Sequence, residues 1–178
     1  MKIIAFGASS SKKSINKNLA QYAASLIEGG EVEVLDLNDY ELPLFSVDRE
    51  EELGHPKLAQ DFVHKLESAD LILISFAEHN GIYTAAFKNL MDWVTRVKKN
   101  FYSDKPLIFL STSPGARGAK SVLDFASNSA VHFGGKLIGS LSIPSFHENF
   151  SIKENKLTNQ TLLKDLKILL SKSDLTKK

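Results

Sequence analysis

Three polar segments hold the residue types that do chemistry, and each directly follows a short apolar run. The first, Gly7 to Asn16, reads GASSSKKSIN, with four serines, two lysines and an asparagine ahead of a helical pattern. Hydroxyls, free backbone N–H groups and the positive end of a helix dipole together suit a phosphate. Ser14 is placed as the N-cap and Ile15 as the first helical residue, while Lys17 denies the helix a capping box. An ordinary serine-capped βα loop has the same composition, so the segment by itself leaves both readings open. No G-K-[ST] follows, which argues against a triphosphate held with magnesium, and no G-x-G-x-x-G is present to mark an ordinary dinucleotide fold.

The second segment sets Ala77, Glu78, His79, Asn80 and Gly81 in a row, so that a carboxylate, an imidazole and an amide precede a glycine. The glycine permits tight backbone geometry, although Asn-Gly equally punctuates a plain turn before a helix. The third, Ser111 to Ala119, reads STSPGARGA. Its proline, glycines and hydroxyls let backbone approach a flat ligand closely. Arg117, one of three arginines in the chain, fits either anion binding or surface solubility.

The elements that must position these segments alternate along the chain. Strands are expected at Lys2–Phe6, Glu31–Leu37, Leu71–Phe76, Pro106–Leu110 and Leu137–Ile143. Between them lie helical patterns: Ile15, Leu19, Tyr22 and Leu26 before Gly29-Gly30; Leu58, Phe62 and Leu66 after Pro56; Phe87, Leu90, Met91 and Val94 after Thr84; Val122, Ala126, Ser129 and Phe133. A last helix carries Leu162, Leu163, Leu166, Leu169 and Leu170. Repeated βα units predict an α/β fold: a three-layer sandwich around a parallel five-stranded sheet. The first, third and fourth strands are continuously apolar, as centrally buried strands must be, whereas the second and fifth mix in polar residues. That pattern predicts the flavodoxin-like order 2-1-3-4-5. Ligands in such folds bind beyond the carboxyl ends of the strands, where the winding reverses, and all three segments leave there.

Composition narrows the classes. The 178 residues suit one domain over 1–178, with the last six or so expected to fray; at this length roughly 70% of the unfolded surface can be buried. The absence of cysteine excludes disulfides, thiol catalysis and thiolate metal sites. With 22 basic against 21 acidic residues, no overall field favours nucleic acid or an anionic membrane. The longest apolar run, Leu71–Ala77, is too short to cross a bilayer, and no secretory signal opens the chain, so a cytoplasmic location is expected. His55, His64, His132 and His147 lack i, i+3 or i, i+4 pairing and read as structural or surface residues, leaving no metal site. Lys88, Asp92 and Arg96 fall four apart as a solvated ion-pair row, and Asp48–Glu52 reads as a solvated loop.

Taken together, the three segments resemble the NADPH-dependent FMN reductases, a family of flavodoxin-like quinone, azo and chromate reductases. The family's first loop reads roughly G-S-x-R-x-x-S-x-N; Ser9, Ser14 and Asn16 match it, while Ser11 replaces the arginine. Against P-E-Y-N followed by L-K-N-x-x-D-W, the residues Glu78, Asn80, Lys88, Asn89, Asp92 and Trp93 match. Ala77, His79 and Phe87 depart from it. Ser113, Pro114, Gly115, Gly118 and Ala119 match the family's S-P-G-x-x-G-[GA] loop, and Asp36–Asp48 resembles its long connection after the second strand. The resemblance runs in consistent order over about residues 2–143.

What the resemblance implies is a non-covalently bound FMN, with NAD(P)H as co-substrate and a small-molecule electron acceptor. Ser9, Ser11, Ser14, Ile15 and Asn16 would hold the phosphate. Ala77, Glu78, His79, Asn80 and Gly81 would border the isoalloxazine, and Ser113, Pro114, Gly115 and Gly118 would flank its other side. Losing the arginine removes a fixed charge near the phosphate, with Lys12 and Lys13 close by, and His79 places an imidazole where the family pattern has a tyrosine. The implied reaction is a ping-pong transfer that needs no catalytic side chain. The rival is a flavodoxin-type electron carrier; near-neutral charge and few aromatics in the loops favour the enzyme. A homodimer or homotetramer is also implied, with Trp93 as an interface anchor on the Lys88–Val97 helix.

Overall fold

Strand β1 (Lys2–Ala8) alternates its side chains across the sheet, and both faces are apolar: Ile4 and Phe6 enter one core, Ile3 and Ala5 the other. The same division holds for β3 (Leu71–Phe76) and β6 (Pro106–Thr112), where Ile72, Ile74 and Phe109 face one way and Leu73, Ile108 and Leu110 the other. Strands with two buried faces have to lie centrally in a parallel sheet. In the computed structural model, which describes residues 1–173, they do. The order is β2-β1-β3-β6-β7, with β2 at Glu31–Leu35 and β7 at Lys136–Ile143 on the edges. Every pairing in this sheet is parallel. Counting only these five strands, this is the expected 2-1-3-4-5 winding of a flavodoxin-like fold. The expected fraying of the last residues falls on 174–178, outside the described residues.

Helices cover both faces. On one side pack α1 (Ile15–Ser25) and α6 (Gln160–Ser171), with Leu19, Ala23, Leu166 and Leu170 inward. On the other pack α3 (Lys57–Glu67), α4 (Ala85–Val97) and α5 (Lys120–Ser129). No helix among the described residues is long and apolar enough to cross a membrane.

Local sequence explains where expectation and structure part. Strand β2 stops at Leu35 rather than Leu37, because Asp36 accepts from the Asn38 N–H and opens a 3-10 turn over Leu37–Tyr40. Residues 48–52 are helical, not a loop: Ser46 Oγ accepts from the Arg49 N–H and starts α2 (Val47–Leu53), with acids in its first turn. Leu58 is 38% exposed, and the inner face of α3 is instead Ala59, Phe62, Val63 and Leu66. The ion-pair row breaks after Lys88–Asp92, since Arg96 Nε reaches Glu50 on α2 at 2.7 Å.

Trp93 does not project from α4 as an interface anchor. It is 0% exposed within its own chain, its ring meets Phe45 edge-on at 5.1 Å, and its Nε1 donates to the Pro43 carbonyl at 2.8 Å. One turn earlier, Asn89 accepts from the Phe45 N–H and donates to the carbonyls of Leu42 and Pro43. These two side chains of α4 clamp the segment between β2 and α2.

Candidate functional site

The loops after β1, β3 and β6 emerge side by side at one sheet edge, as parallel neighbours must. They enclose a cavity of ≈ 200 Å³ lined by Ser9, Ser11, Lys13, Ser14, Ile15, Asn16, Ala77, Glu78, His79, Thr112, Ser113 and Pro114. A larger concavity of ≈ 440 Å³ lies beyond Ser10, between residues 37–44 and the start of α4. Its walls are mainly apolar, and the Asn89 amide there is already bonded to Leu42, Pro43 and Phe45. What distinguishes the smaller cavity is the set of hydroxyls of Ser9, Ser11 and Ser14 gathered beside the unpaired donors of a helix start.

Those donors come from the start of α1. Ser14 caps the helix as its sequence position predicts, its Oγ accepting from the Lys17 N–H at 3.1 Å. The N–H groups of Ile15 and Asn16 belong to the first helical turn, which has no intrahelical acceptor to offer them. No other acceptor meets them among the described residues. Gly7 is what allows this helix start to sit so close to β1. A Cβ at Gly7 would lie 2.4 Å from the Lys17 backbone nitrogen and 2.8 Å from the Asn16 carbonyl carbon.

The Asn16 side chain has a different duty from its N–H. Buried at 2% exposure, it accepts from Ser75 Oγ at 2.7 Å and from the Thr112 N–H at 3.1 Å, and it donates to the Thr112 carbonyl. It therefore fastens α1 to the ends of β3 and β6. Thr84, which composition did not single out, does the same from the second loop: it caps α4 and donates to the Ala8 carbonyl at 3.0 Å. The signal for such residues was present in the sequence as hydroxyls at the ends of otherwise apolar strands, Ser75, Ser111 and Thr112 among them.

The second loop is a miniature hairpin, β4 (Glu78–His79) against β5 (Ile82–Tyr83), rather than a simple lead into a helix. Asn80 and Gly81 form its two-residue turn with φ of 53° and 83°, the positive pair such hairpins require. Glu78 Oε2 accepts from the Val122 N–H at 2.9 Å. This supplies α5 with the cap that Ala119, at its N-cap position, has no side chain to provide. Burial pushes the Tyr83 phenol above its ordinary range, so it stays neutral beside Ser129.

Ten of the expected contact residues thus line one cavity, and Lys13 and Thr112 join them. Asn80 and Gly81 stand exposed at the hairpin tip, and Gly115 at the tip of the third loop. A Cβ at Gly81 would meet nothing within 4 Å, so the space above that turn is open. Gly118 is not among the lining residues. It is buried, with φ of 57°, a Cβ there would strike Ser142 Oγ at 2.3 Å, and its carbonyl accepts from both Ser111 and Ser142 hydroxyls. Its place is structural.

The arrangement suits a ligand with an anionic end and a flat body. Hydroxyls of Ser9, Ser11 and Ser14 and the two free N–H groups converge at a helix start, which favours a phosphate. Backbone of the second and third loops, bare of bulky side chains at Gly81 and Gly115, leaves room for a planar ring. FMN has both parts, and the residues present fit it.

Comparison with known proteins agrees. Residues 1–148 match the family described as NADPH-dependent FMN reductase. An Arabidopsis thaliana protein named NADPH:quinone oxidoreductase is 31% identical over 125 residues, covering 68% of this chain and 62% of that protein. A Pseudomonas aeruginosa protein named NAD(P)H-dependent FMN reductase is 29% identical over 119 residues, covering 66% of this chain and 63% of that one. The chain therefore spans a little over three fifths of these two relatives. Among solved structures, the flavoenzyme NAD(P)H:(acceptor) oxidoreductase FerB of Paracoccus denitrificans superposes with a TM-score of 0.77 at 25% identity, over 99% of this chain and 97% of that one. With the family matched across most of its length and its loops gathered at one sheet edge, this chain belongs to the NADPH-dependent FMN reductase family.

Proposed function

We propose that the protein is an NAD(P)H-dependent reductase that uses bound FMN to pass two electrons to a small acceptor: a quinone, an azo compound, a free flavin or a metal ion. The observation that carries this reading is the cavity at the sheet edge, where unpaired N–H groups of Ile15 and Asn16 meet serine hydroxyls beside an open, glycine-bordered platform. FMN, when bound, supplies the redox chemistry, taking a hydride equivalent and yielding two electrons. The chain's own residues bind and orient. Ser9, Ser11, Ser14 and the start of α1 hold the phosphate; Ala77–Gly81 and Ser113–Gly115 border the ring system and offer backbone N–H groups to negative charge that develops there. Asn16, through Ser75 and Thr112, keeps the loops in register. One open platform serves both substrates, so NAD(P)H and acceptor occupy it in turn.

In this reading the chain works as one FMN-binding domain in the cytoplasm, assembled as a homodimer or homotetramer. The test is direct. Purified protein should show flavin absorbance that is lost on addition of NADPH with oxygen excluded. Double-reciprocal lines should be parallel when NADPH and benzoquinone are varied. Flavin that neither NADPH nor NADH bleaches would make the protein an electron carrier instead, and intersecting lines would mean two separate pockets. A monomeric mass by light scattering across the micromolar range would overturn the assembly.

A further inference from the structure

We infer that Lys13 supplies the countercharge to the FMN phosphate, a charge that Ser11, two positions earlier in the loop, cannot provide. The inference rests on the flavin reading above and deepens it. Four cationic side chains stand on or beside the loops: Lys12, Lys13, Lys17 and Arg117. Lys17, one turn into α1, is drawn away to Asp36 at 2.5 Å. Arg117 lies outside the cavity, where its Nη2 donates to Ser121 Oγ at 2.8 Å. Lys12 is exposed and does not line the cavity. Lys13 does line it, between Ser11 and Ser14, and has no carboxylate partner among the described residues.

The other ionisable groups of the cavity wall are Glu78 and His79. Glu78 already accepts from the Val122 N–H, which fixes its carboxylate against α5. A phosphate monoester at neutral pH carries a charge of about −1.5 to −2. The hydroxyls and N–H groups solvate that charge without neutralising it, so one cation within reach makes a large difference. An ammonium on a flexible four-carbon stem needs no fixed fork geometry. It can therefore act from two positions further along the loop than an arginine at residue 11 would. An exposed cation is also screened by salt, which gives the assignment a second signature.

The experiment titrates apoprotein with FMN and with riboflavin, which lacks the phosphate, following flavin fluorescence at low and high salt. Lys13→Gln is expected to weaken FMN binding at low salt about tenfold. It should leave riboflavin within about twofold and flatten the salt dependence of FMN binding. Lys12→Gln should leave both ligands near their original affinity, and Lys13→Arg should retain the preference for FMN. FMN affinity unchanged in Lys13→Gln, or lost equally for both ligands, overturns the assignment, as does a Lys12→Gln effect of the same size. Unaltered apoprotein that binds neither flavin overturns the flavin reading itself, a result distinct from any of these.

Discussion

The first loop and the inner face of α4 carry family motifs of similar weight in sequence, yet they do opposite things. On α4, Asn89 makes three hydrogen bonds to residues 42–45 and Trp93 adds a fourth, so neither side chain of the motif has a donor left over. At the first loop, Asn16 is just as fully engaged through its side chain, but the N–H groups of Ile15 and Asn16 have no acceptor. A motif whose polar groups are all satisfied internally is scaffold. A motif that leaves donors unpaired beside a cavity is prepared for something absent from the chain itself.

The largest expected effect separates the two asparagines. Asn16→Ala removes three hydrogen bonds and strands Ser75 Oγ and the Thr112 N–H and carbonyl where water has little access; Ser75 and Thr112 are 0% and 1% exposed. At one or more kcal/mol for each stranded group, a loss of roughly 3–5 kcal/mol is expected. Asn89→Ala deletes as many bonds, but at a half-buried position that water can enter, so about 1–2 kcal/mol is expected. Urea unfolding of the two apoproteins measures the difference. Equal losses would erase the contrast, as would FMN binding weakened more by the α4 change.

Gly7→Ala comes next. The added methyl meets backbone of α1, not a flexible side-chain end, so the helix start must shift. Overpacking of this kind costs about 1–3 kcal/mol. Because the shift displaces the free N–H groups, FMN affinity should fall more than riboflavin affinity. Equal falls for both would place the damage in the platform and not at the phosphate. Trp93→Phe is smaller, about 1 kcal/mol for its hydrogen bond together with whatever the smaller ring leaves unfilled. Its sharper readout is solution mass. With Trp93 buried inside its own chain, the assembly state should not change; dissociation on this substitution would return the residue to an interface.

The strand order and the three loops were legible because periodicity and apolar runs report burial directly. Ile4, Phe6, Ile72 and Phe109 could sit nowhere but in a central sheet. What sequence could not separate was the duty of a polar residue from its presence. Gly118 and Gly115 look alike in STSPGARGA, yet one is locked under two hydroxyls and the other stands exposed. Glu78 reads as a carboxylate beside a ligand, but it caps a helix that starts 42 positions later, at Lys120. Such pairings depend on which strands become neighbours, and no local pattern carries that information. The helix over residues 47–53 was legible in principle, from Ser46 and the acids after it; charge density hid it.

The smallest effect tests whether Lys17 belongs with the scaffold. Its ammonium sits 2.5 Å from Asp36, and this hydrogen bond, helped by the Asn38 N–H, holds the Asp36 carboxyl below the usual carboxylate range. A carboxyl whose folded value is lowered stabilises the fold above its unfolded value, near 3.9, and loses that contribution as pH falls through the folded value. Both partners are about one-third exposed, so the pair is screened and should contribute less than about 1 kcal/mol. Asp36→Asn keeps the cap on the 3-10 turn while removing the charge. Its stability deficit should be present at pH 7, shrink below about pH 4, and diminish in 1 M salt. A deficit that stays constant from pH 7 to pH 3 would show that the pair is not what fixes Lys17. In that case the substitution should leave Lys17 where it is, and FMN binding should not change. If the ion pair does hold it, the freed ammonium lies one turn from the phosphate loop, and FMN should bind slightly more tightly to Asp36→Asn at low salt while riboflavin does not.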